Sequence, residues 1–311
     1  MTEAARDHGG GLDAAVKRYG GTRSEWLDLS TGINPVPYPI GALNAEAWTA
    51  LPDRAAFDRL IEAARNFWAV PEGAEIIPAT GASALIASMP HLFSGRSVTI
   101  PAPTYNEHAA AFRAQGYELA EDRADLQVLV HPNNPDGRLW TTQDVDGPTV
   151  LDESFCDICP DLSLVSLSER PDIVVLKSIG KFWGLAGMRL GFAIAAPEMA
   201  AKIRNEIGPW AVSGPALEIG ARALEDAAWA DATRARLTKD AVRLDALMTK
   251  AGAQIVGGTT LFRLYEVGNA AAWQDKLAQD HVWSRIFPYS DRWLRLGLPA
   301  PDRWDQLEAA L

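Results

Sequence analysis

Short apolar runs alternate with segments of helical periodicity through the middle of the chain. These runs do not alternate strictly between apolar and polar positions, which is typical of strands in a sheet covered on both faces. The predicted strands are Glu75–Pro78, Ser97–Pro101, Tyr117–Ala120, Gln127–His131, Thr149–Asp152, Ile173–Lys177 and Gly191–Ala195. Helix-like segments such as Ala82–Phe93 and Thr104–Gln115 lie between several of them. The order predicts a doubly wound α/β domain with a mainly parallel seven-stranded sheet and ligands at the carboxyl ends of its strands.

The pattern changes after residue 212. Long helices over Ala216–Glu225 and Asp231–Ala251 are followed by short strands, a helix and a final helix from Pro301, which together predict a smaller α+β domain. The first 40 residues are turn-rich and predict an arm that packs on the small domain and borders the site. The predicted division is therefore an arm at 1–40, a large domain at 41–212 and a small C-terminal domain at 213–311.

Composition limits the classes of partner. The 311 residues are 48% hydrophobic and 22% charged, an ordinary globular balance, and their number suggests two packed domains. A formal net charge of -11 argues against nucleic acid as a partner. No apolar run approaches the roughly 20 residues that span a bilayer, and residues 1–8 lack the apolar core of a signal peptide. We expect a cytoplasmic protein with no membrane partner.

The two cysteines, Cys156 and Cys159, are spaced C-x-x-C. A zinc site would need two more ligands, and the sequence has no second C-x-x-C and no H-x-x-x-H. A redox pair would normally precede a helix in a thioredoxin-like unit, whereas this pair trails an acidic strand end. We therefore expect structural free thiols and no metal.

A glycine-rich turn follows the strand Ile173–Lys177, with the sequence Ser178-Ile-Gly-Lys181-Phe-Trp-Gly-Leu-Ala-Gly-Met-Arg189-Leu-Gly. A lysine amine can form a Schiff base with the aldehyde of pyridoxal phosphate (PLP). The Ser178 hydroxyl and the Arg189 fork can hold the cofactor's phosphate, and glycines let the backbone lie close to it. The segment resembles the lysine segment of fold-type I PLP enzymes, the aspartate aminotransferase superfamily. That resemblance implies Lys181 as the cofactor lysine.

Four further features fit the same cofactor in the same order along the chain. Asp152 ends a strand and can pair with the pyridine nitrogen, although Asp is also a common turn residue. Asn134 lies in a segment similar to the superfamily's N-P-N-N-P-T-G motif, from which His131 and Asp136 depart, and can donate to the phenolic oxygen or serve only in a turn. Gly81, Ala82 and Ser83 begin a helix and can bind an anion, or serve only as its cap. Tyr105 can stack on the ring, with a core tyrosine as the alternative.

Segments near both ends of the chain, and one at residues 152–155, favour one reaction. Leu12–Gly21, Trp26–Pro35, Asp152-Glu-Ser-Phe155 and Trp283–Pro299 resemble the threonine-phosphate decarboxylases of cobalamin biosynthesis. The resemblance implies decarboxylation of L-threonine O-3-phosphate to (R)-1-amino-2-propanol O-2-phosphate. It also implies that Arg295 grips the substrate carboxylate, with Lys181 and Asp152 catalytic. The candidates for the remaining substrate contacts are Arg285, His8 and Asn34, each with a surface role as the alternative.

Two positions depart from the patterns of relatives. Phe155 replaces a tyrosine of the histidinol-phosphate aminotransferases and removes a hydroxyl aimed at the phenolic oxygen, which predicts an altered pKa at the lysine–cofactor linkage. Leu51 replaces the tyrosine of an R-Y-P-D motif that reaches the neighbouring subunit's cofactor phosphate, so the phosphate depends more on Ser83, Ser178 and Arg189. We still expect a homodimer.

Other functions remain as alternatives. An aminotransferase of the histidinol-phosphate type is the nearest, because the two groups share most motifs and the fold does not decide the reaction. A PLP-dependent regulator would usually carry an N-terminal DNA-binding domain, and the acidic chain shows no helix-turn-helix pattern. A catalytically inactive paralogue is disfavoured, since Lys181, Asp152, Asn134, Arg189 and Arg295 are all present.

Overall fold

The computed structural model describes residues 8–311, which form two compact units. The large unit comprises Pro37–Asn134 and Arg138–Ala232. The small unit comprises the described residues up to Val36, Pro135–Gly137 and Thr233–Leu311. These units divide the chain inside its longest described helix, later than the predicted boundary at 212/213, and the arm shares a unit with the C-terminal residues. The three-part domain division itself stays a prediction, and residues 1–7 of its arm lie outside the described residues.

The described strands are β1 Leu27–Asp28, β2 Glu75–Ala79, β3 Ser97–Thr99, β4 Glu118–Ala120, β5 Leu126–Val130, β6 Thr149–Asp152, β7 Ile173–Ser178, β8 Gly191–Ala195, β9 Gln254–Gly258, β10 Phe262–Glu266, β11 Val282–Trp283, β12 Arg285–Phe287 and β13 Ser290–Gly297. The described helices are α1 Leu12–Tyr19, α2 Glu46–Thr49, α3 Arg54–Phe67, α4 Ala82–Leu92, α5 Asn106–Ala114, α6 Pro197–Ile207, α7 Gly214–Glu225, α8 Ala227–Lys250, α9 Ala270–Gln279 and α10 Trp304–Ala310. None of these helices is both long and apolar enough to cross a membrane.

The large unit is built on a seven-stranded sheet in the order β2-β8-β7-β6-β5-β3-β4. Strands β3 to β7 pair in parallel, and β8 runs antiparallel to both of its neighbours. Val150, Val174 and Val175 are fully buried, as expected where layers cover both faces of the sheet. The predicted α/β class and mainly parallel seven-stranded sheet are confirmed.

The small unit contains a four-stranded antiparallel sheet in the order β12-β13-β10-β9. The arm joins the C-terminal residues through a separate two-stranded parallel sheet, in which Leu27 of β1 pairs with Val282 of β11. The arm is not made of turns alone, because α1 forms within it and buries Leu12 and Ala15. The turn-rich prediction missed this helix since Gly-Gly pairs flank it on both sides.

Candidate active site

The carboxyl ends of the parallel strands in the large unit border one cavity. Eight of the nine residues predicted to bind the cofactor line it: Ala82, Ser83, Tyr105, Asn134, Asp152, Ser178, Lys181 and Arg189. The ninth, Gly81, lies directly before α4 and against the Arg189 side chain. The fold thus gathers residues that are more than one hundred positions apart, because parallel strands place their carboxyl ends at the same edge.

Lys181 lies in the tight connection between β7 and β8. Its Nζ is 5.3 Å from the centre of the Phe155 ring, which also lines the cavity. The backbone N–H of Gly180 donates to Ser178 Oγ at 3.2 Å. A Cβ at Gly180 would lie 3.3 Å from both Ser178 Oγ and Ala186 Cα, so a side chain would crowd the turn. These contacts hold the backbone at Gly180 and so set the position of the Lys181 Cα.

Asp152 ends β6 and is buried at 3% exposure. His108 Nε2 lies 2.8 Å from its Oδ2, and Ser154 donates to Oδ1 from its backbone N–H at 3.0 Å and its hydroxyl at 2.5 Å. Burial alone raises the pKa of Asp152, but the hydrogen bond and charge of His108, with the bonds from Ser154, hold that pKa below its ordinary value. The carboxylate is therefore kept charged inside the cavity.

The start of α4 and Arg189 form a cationic corner. Gly81 adopts a positive φ of 80°, and a Cβ there would lie 2.6 Å from Arg189 Nη2. The guanidinium is steadied by a 3.1 Å bond from Nη1 to the Ala186 carbonyl. The first backbone N–H groups of a helix beside an arginine suit a phosphate, and the glycine leaves the room that this approach requires.

Tyr105 and Asn134 complete the walls. Burial, with smaller contributions from the Glu107 and Asp152 charges, raises the pKa of Tyr105 to about 12, so its hydroxyl stays neutral. The ring meets the His108 ring edge-on, with centres 6.2 Å apart and planes at 83°. The neighbouring Asn133 is held by Thr104 at 2.5 Å and by the Pro103 carbonyl at 3.0 Å, which braces the loop that carries Asn134.

The residues of this cavity fit PLP by their chemistry. A buried carboxylate kept charged suits a protonated pyridine nitrogen, the cationic corner suits a phosphate, and the lysine amine suits an aldehyde. A side chain at Gly81 would fill the phosphate corner. The fold and this cavity together define a fold-type I PLP-dependent enzyme.

The small unit carries Arg285 on β12 and Arg295 on β13, paired directly across the two strands. Arg295 is buried, and its Nη2 donates to the Ser30 carbonyl at 2.7 Å. Burial and the neighbouring Arg285 charge lower the pKa of Arg295 to about 10, so the guanidinium is still charged at neutral pH. Like charges directly opposite each other destabilise a strand pair. A bound anion would relieve that repulsion.

The other two substrate candidates also lie in the small unit. Arg285 Nη1 donates to the His8 carbonyl at 2.5 Å, which brings His8 to the arginine pair. Asn34 is buried, and its Oδ1 accepts bonds from Arg236 Nη2 at 2.5 Å and from the Val36 backbone at 3.0 Å. Asn34 therefore has a firm structural role, whatever else its amide contacts.

Two supporting residues escaped sequence reasoning. His108, which holds Asp152, lies on a short helix whose spacing gives no sign of its partner 44 residues away. Arg236, which holds Asn34, lies 202 residues from it on α8. The one sequence signal for the first pair is that His108 lies in the predicted helical segment Thr104–Gln115, which follows a predicted strand end.

Comparison with known proteins places the chain in a family. The family model for aminotransferase class I and II matches residues 118–310, and the chain belongs to that family. It is 39% identical to a threonine-phosphate decarboxylase of a Sinorhizobium species, over 95% of this chain and 93% of that protein. It is 37% identical to a threonine-phosphate decarboxylase of Pseudomonas aeruginosa, over 98% and 97% of the two chains.

A solved structure supports the fold. The histidinol-phosphate aminotransferase of Sinorhizobium meliloti in complex with pyridoxal-5'-phosphate superposes with a TM-score of 0.81 at 20% identity, covering 97% of this chain and 93% of that one. The predicted superfamily, and PLP as its cofactor, are confirmed by these comparisons.

Proposed function

We propose that this chain is a PLP-dependent carbon–carbon lyase that decarboxylates L-threonine O-3-phosphate to (R)-1-amino-2-propanol O-2-phosphate in cobalamin biosynthesis. The observation that carries the proposal is the similarity, over nearly the whole chain, to two relatives named threonine-phosphate decarboxylase. The cavity of the large unit and the arginine pair of the small unit supply groups of the kind that this reaction needs.

The residues of the large unit would hold the cofactor and stabilise the charges on its ring nitrogen, phenolic oxygen and phosphate. PLP, when bound, supplies an electron sink for the charge that develops at the substrate's Cα. Asp152 would hold a negative charge against the ring nitrogen, with His108 and Ser154 fixing the orientation of its carboxylate. Asn134 would donate to the phenolic oxygen, and Ser83, Ser178 and Arg189 would hold the phosphate. Lys181 would anchor the cofactor through its amine and supply a proton to Cα.

The residues of the small unit provide for two anionic groups. Threonine phosphate carries a carboxylate on Cα and a phosphate on the β-oxygen. Arg295 grips the carboxylate through a bidentate fork, and Arg285, with His8 and Asn34, contacts the phosphate. Two cross-strand arginines match two anions, and the substrate relieves the repulsion between them. The carboxylate that Arg295 would hold is the group that is lost as carbon dioxide.

Transamination of a histidinol-phosphate-type substrate is the competing function. Histidinol phosphate is an amino alcohol phosphate with one anionic group, but the amino acceptor 2-oxoglutarate carries two carboxylates, so the arginine pair serves either reaction. The similarity to the two threonine-phosphate decarboxylases favours decarboxylation. The structural likeness to a histidinol-phosphate aminotransferase, at 20% identity, reports the fold alone.

A two-substrate assay separates the functions. The purified PLP-loaded protein is incubated with threonine phosphate labelled at the carboxyl carbon, and labelled carbon dioxide and the product mass are measured. A parallel incubation with histidinol phosphate and 2-oxoglutarate measures glutamate. Release of carbon dioxide with 1-amino-2-propanol phosphate supports the proposal. Glutamate formation without carbon dioxide release would replace decarboxylation with transamination.

A homodimer and a cytoplasmic location are part of the proposal. Large apolar side chains of the large unit are exposed in the single chain: Trp48 at 72%, Leu51 at 67% and Trp210 at 57%. A second copy that covers them would remove apolar area from water. Light scattering should give twice the mass of the chain, and Trp48→Glu should lower it to one. The free thiols of Cys156 and Cys159 suit a reducing compartment.

A further inference from the structure

Both cysteines of the chain lie in the turn that follows the catalytic carboxylate. Cys156 begins the short 3₁₀ turn Cys156–Ile158, and Cys159 ends it. Both thiols are free, Cys156 is fully buried, and Cys159 is half-buried. The two cysteines follow Asp152 by four and seven residues, so they lie close to the cavity along the chain.

The backbone brings the two thiol side chains together. The N–H of Cys159 donates to the Cys156 carbonyl at 2.9 Å, which closes the turn. A turn closed in this way holds its end Cα atoms within about 7 Å, and side chains three apart in a 3₁₀ turn eclipse each other. Cys156 Sγ lies 3.8 Å from the Cys159 carbonyl oxygen. Disulfides span Cα separations of about 4.4–6.8 Å, so the turn can accept one without unfolding.

The two thiols are chemically unequal. A hydrogen bond between them, followed by burial, raises the pKa of Cys156. The same hydrogen bond lowers the pKa of Cys159. In thiol–disulfide exchange, a more exposed thiol with a lowered pKa attacks the disulfide and forms a mixed disulfide. A buried neighbouring thiol then resolves that mixed disulfide.

A metal is the competing occupant of this cluster. Ligand atoms of His131, Glu153 and Cys156 lie within 4.8 Å of one another. The His131 ring already accepts from the Trp140 backbone at 3.1 Å and contacts the Leu162 carbonyl at 2.7 Å. Glu153 is bound by the buried Lys177 ammonium at 2.5 Å. A cation would have to displace these bonds beside a buried positive charge, so the cluster favours thiol chemistry.

We propose that Cys156 and Cys159 are a redox-active dithiol that closes to an intramolecular disulfide by exchange with a low-molecular-weight disulfide such as oxidised glutathione. The Cys159 thiolate attacks one glutathione sulfur, the glutathione S–S bond breaks, and one glutathione leaves. Cys156 loses its proton and attacks the Cys159 sulfur, which releases the second glutathione. The two protein thiols lose two electrons and two protons, and the small disulfide becomes two thiols.

The ring closed by this disulfide would enclose Asp157. That carboxylate accepts bonds from Trp68 Nε1 at 2.8 Å and from Trp183 Nε1 at 2.9 Å, and Trp183 lies two residues beyond Lys181. Phe155, which faces Lys181, directly precedes the ring. Oxidation therefore stiffens the segment that holds the lysine loop, and the cofactor leaves the oxidised protein more slowly than the reduced one.

Mass spectrometry of the holoenzyme in glutathione buffers tests the chemistry. The wild-type protein should lose two hydrogen masses in excess oxidised glutathione, without a stable adduct. Cys156→Ser should accumulate one glutathionyl group on Cys159, and Cys159→Ser should react at least about 10-fold more slowly. A wild-type protein that stays reduced, or that keeps the adduct, would overturn the proposal, as would equal reaction rates for the two variants.

Cofactor release tests the link to the site. The half-time of PLP release is compared for oxidised and reduced wild-type protein, with the double variant Cys156→Ser, Cys159→Ser in both buffers as the control. Release slowed at least about twofold by oxidation, in the wild type only, supports the link. Equal half-times for the two wild-type forms would remove it. Reduction by dithiothreitol should restore the original half-time.

Discussion

The cofactor cavity of the large unit and the arginine pair of the small unit differ in how their charges are balanced. In the cavity, His108 and Ser154 satisfy the Asp152 carboxylate within the protein. In the small unit, Arg285 and Arg295 oppose each other across two strands, and burial and the Arg285 charge lower the pKa of Arg295. In the first region the neighbouring groups favour the charged form of the carboxylate, whereas in the second burial and a like charge disfavour the charged form of the guanidinium.

Lys181→Ala is the strongest test of the cavity. The variant should show no measurable decarboxylation, because it lacks both the covalent anchor and the amine that moves the proton. Borohydride reduction followed by peptide mapping should attach PLP to Lys181 in the wild type and to no peptide of the variant. Lys202→Ala, at an exposed lysine of α6, is the matched control and should keep full activity. If borohydride attached equal amounts of PLP to Lys181→Ala and Lys202→Ala, Lys181 would not be the cofactor lysine.

Asp152→Asn tests whether the buried negative charge of Asp152 is needed for the reaction. We expect kcat to fall by roughly 10²-fold or more, since the buried negative charge that keeps the ring nitrogen protonated, and so an effective electron sink, is lost. The exposed Asp161→Asn, on the turn beyond the cysteines, is the control. Steady-state kinetics with threonine phosphate give the comparison. A variant with unchanged kcat would show that the carboxylate only supports the strand end.

The same carboxylate predicts a stability profile. Its folded pKa lies below the unfolded value of about 3.9, so the stabilisation is present above that pH and is lost as the pH falls through the folded pKa. Thermal melting of the wild type and of Asp152→Asn should therefore differ at neutral pH and converge in strong acid. A constant difference across the whole range would contradict this linkage.

Arg295→Lys tests the arginine pair of the small unit. The ammonium keeps the charge but loses the bidentate fork, so we expect KM for threonine phosphate to rise by about 10-fold to 100-fold. The change in kcat should be smaller than the change in KM. Arg292→Lys, exposed on the same strand, is the control. An Arg295→Lys enzyme with normal KM would place the substrate carboxylate elsewhere.

Phe155→Tyr gives the smallest expected effect. The tyrosine hydroxyl introduced at position 155 would donate a hydrogen bond to the cofactor's phenolic oxygen and so stabilise the negative charge on that oxygen. The pH midpoint of the cofactor absorbance should therefore move down, by up to about one unit. Phe155→Leu, which removes the ring and adds no hydroxyl, should not show this downward shift. An unmoved midpoint in Phe155→Tyr would count against placing Phe155 at the phenolic oxygen.

The sequence by itself determined several strands and the candidate residues at their ends. The apolar runs predicted β6 and β8 at their observed bounds, and Lys181, Asp152 and Asn134, each predicted from a local motif, line one cavity. The strand predicted over Ser97–Pro101 is shorter in the structure, since β3 ends at Thr99. Local patterns of this kind need no knowledge of distant partners.

Only the tertiary structure decided which distant groups meet. His108 on α5 contacts Asp152 at the end of β6 across 44 positions of sequence, and Arg285 opposes Arg295 because β12 and β13 pair in that register. Such contacts depend on how sheets and helices pack, and spacing along the chain does not encode them. Local motifs therefore predict which groups react, whereas the packing of the fold sets the charge state in which Asp152 and Arg295 are held.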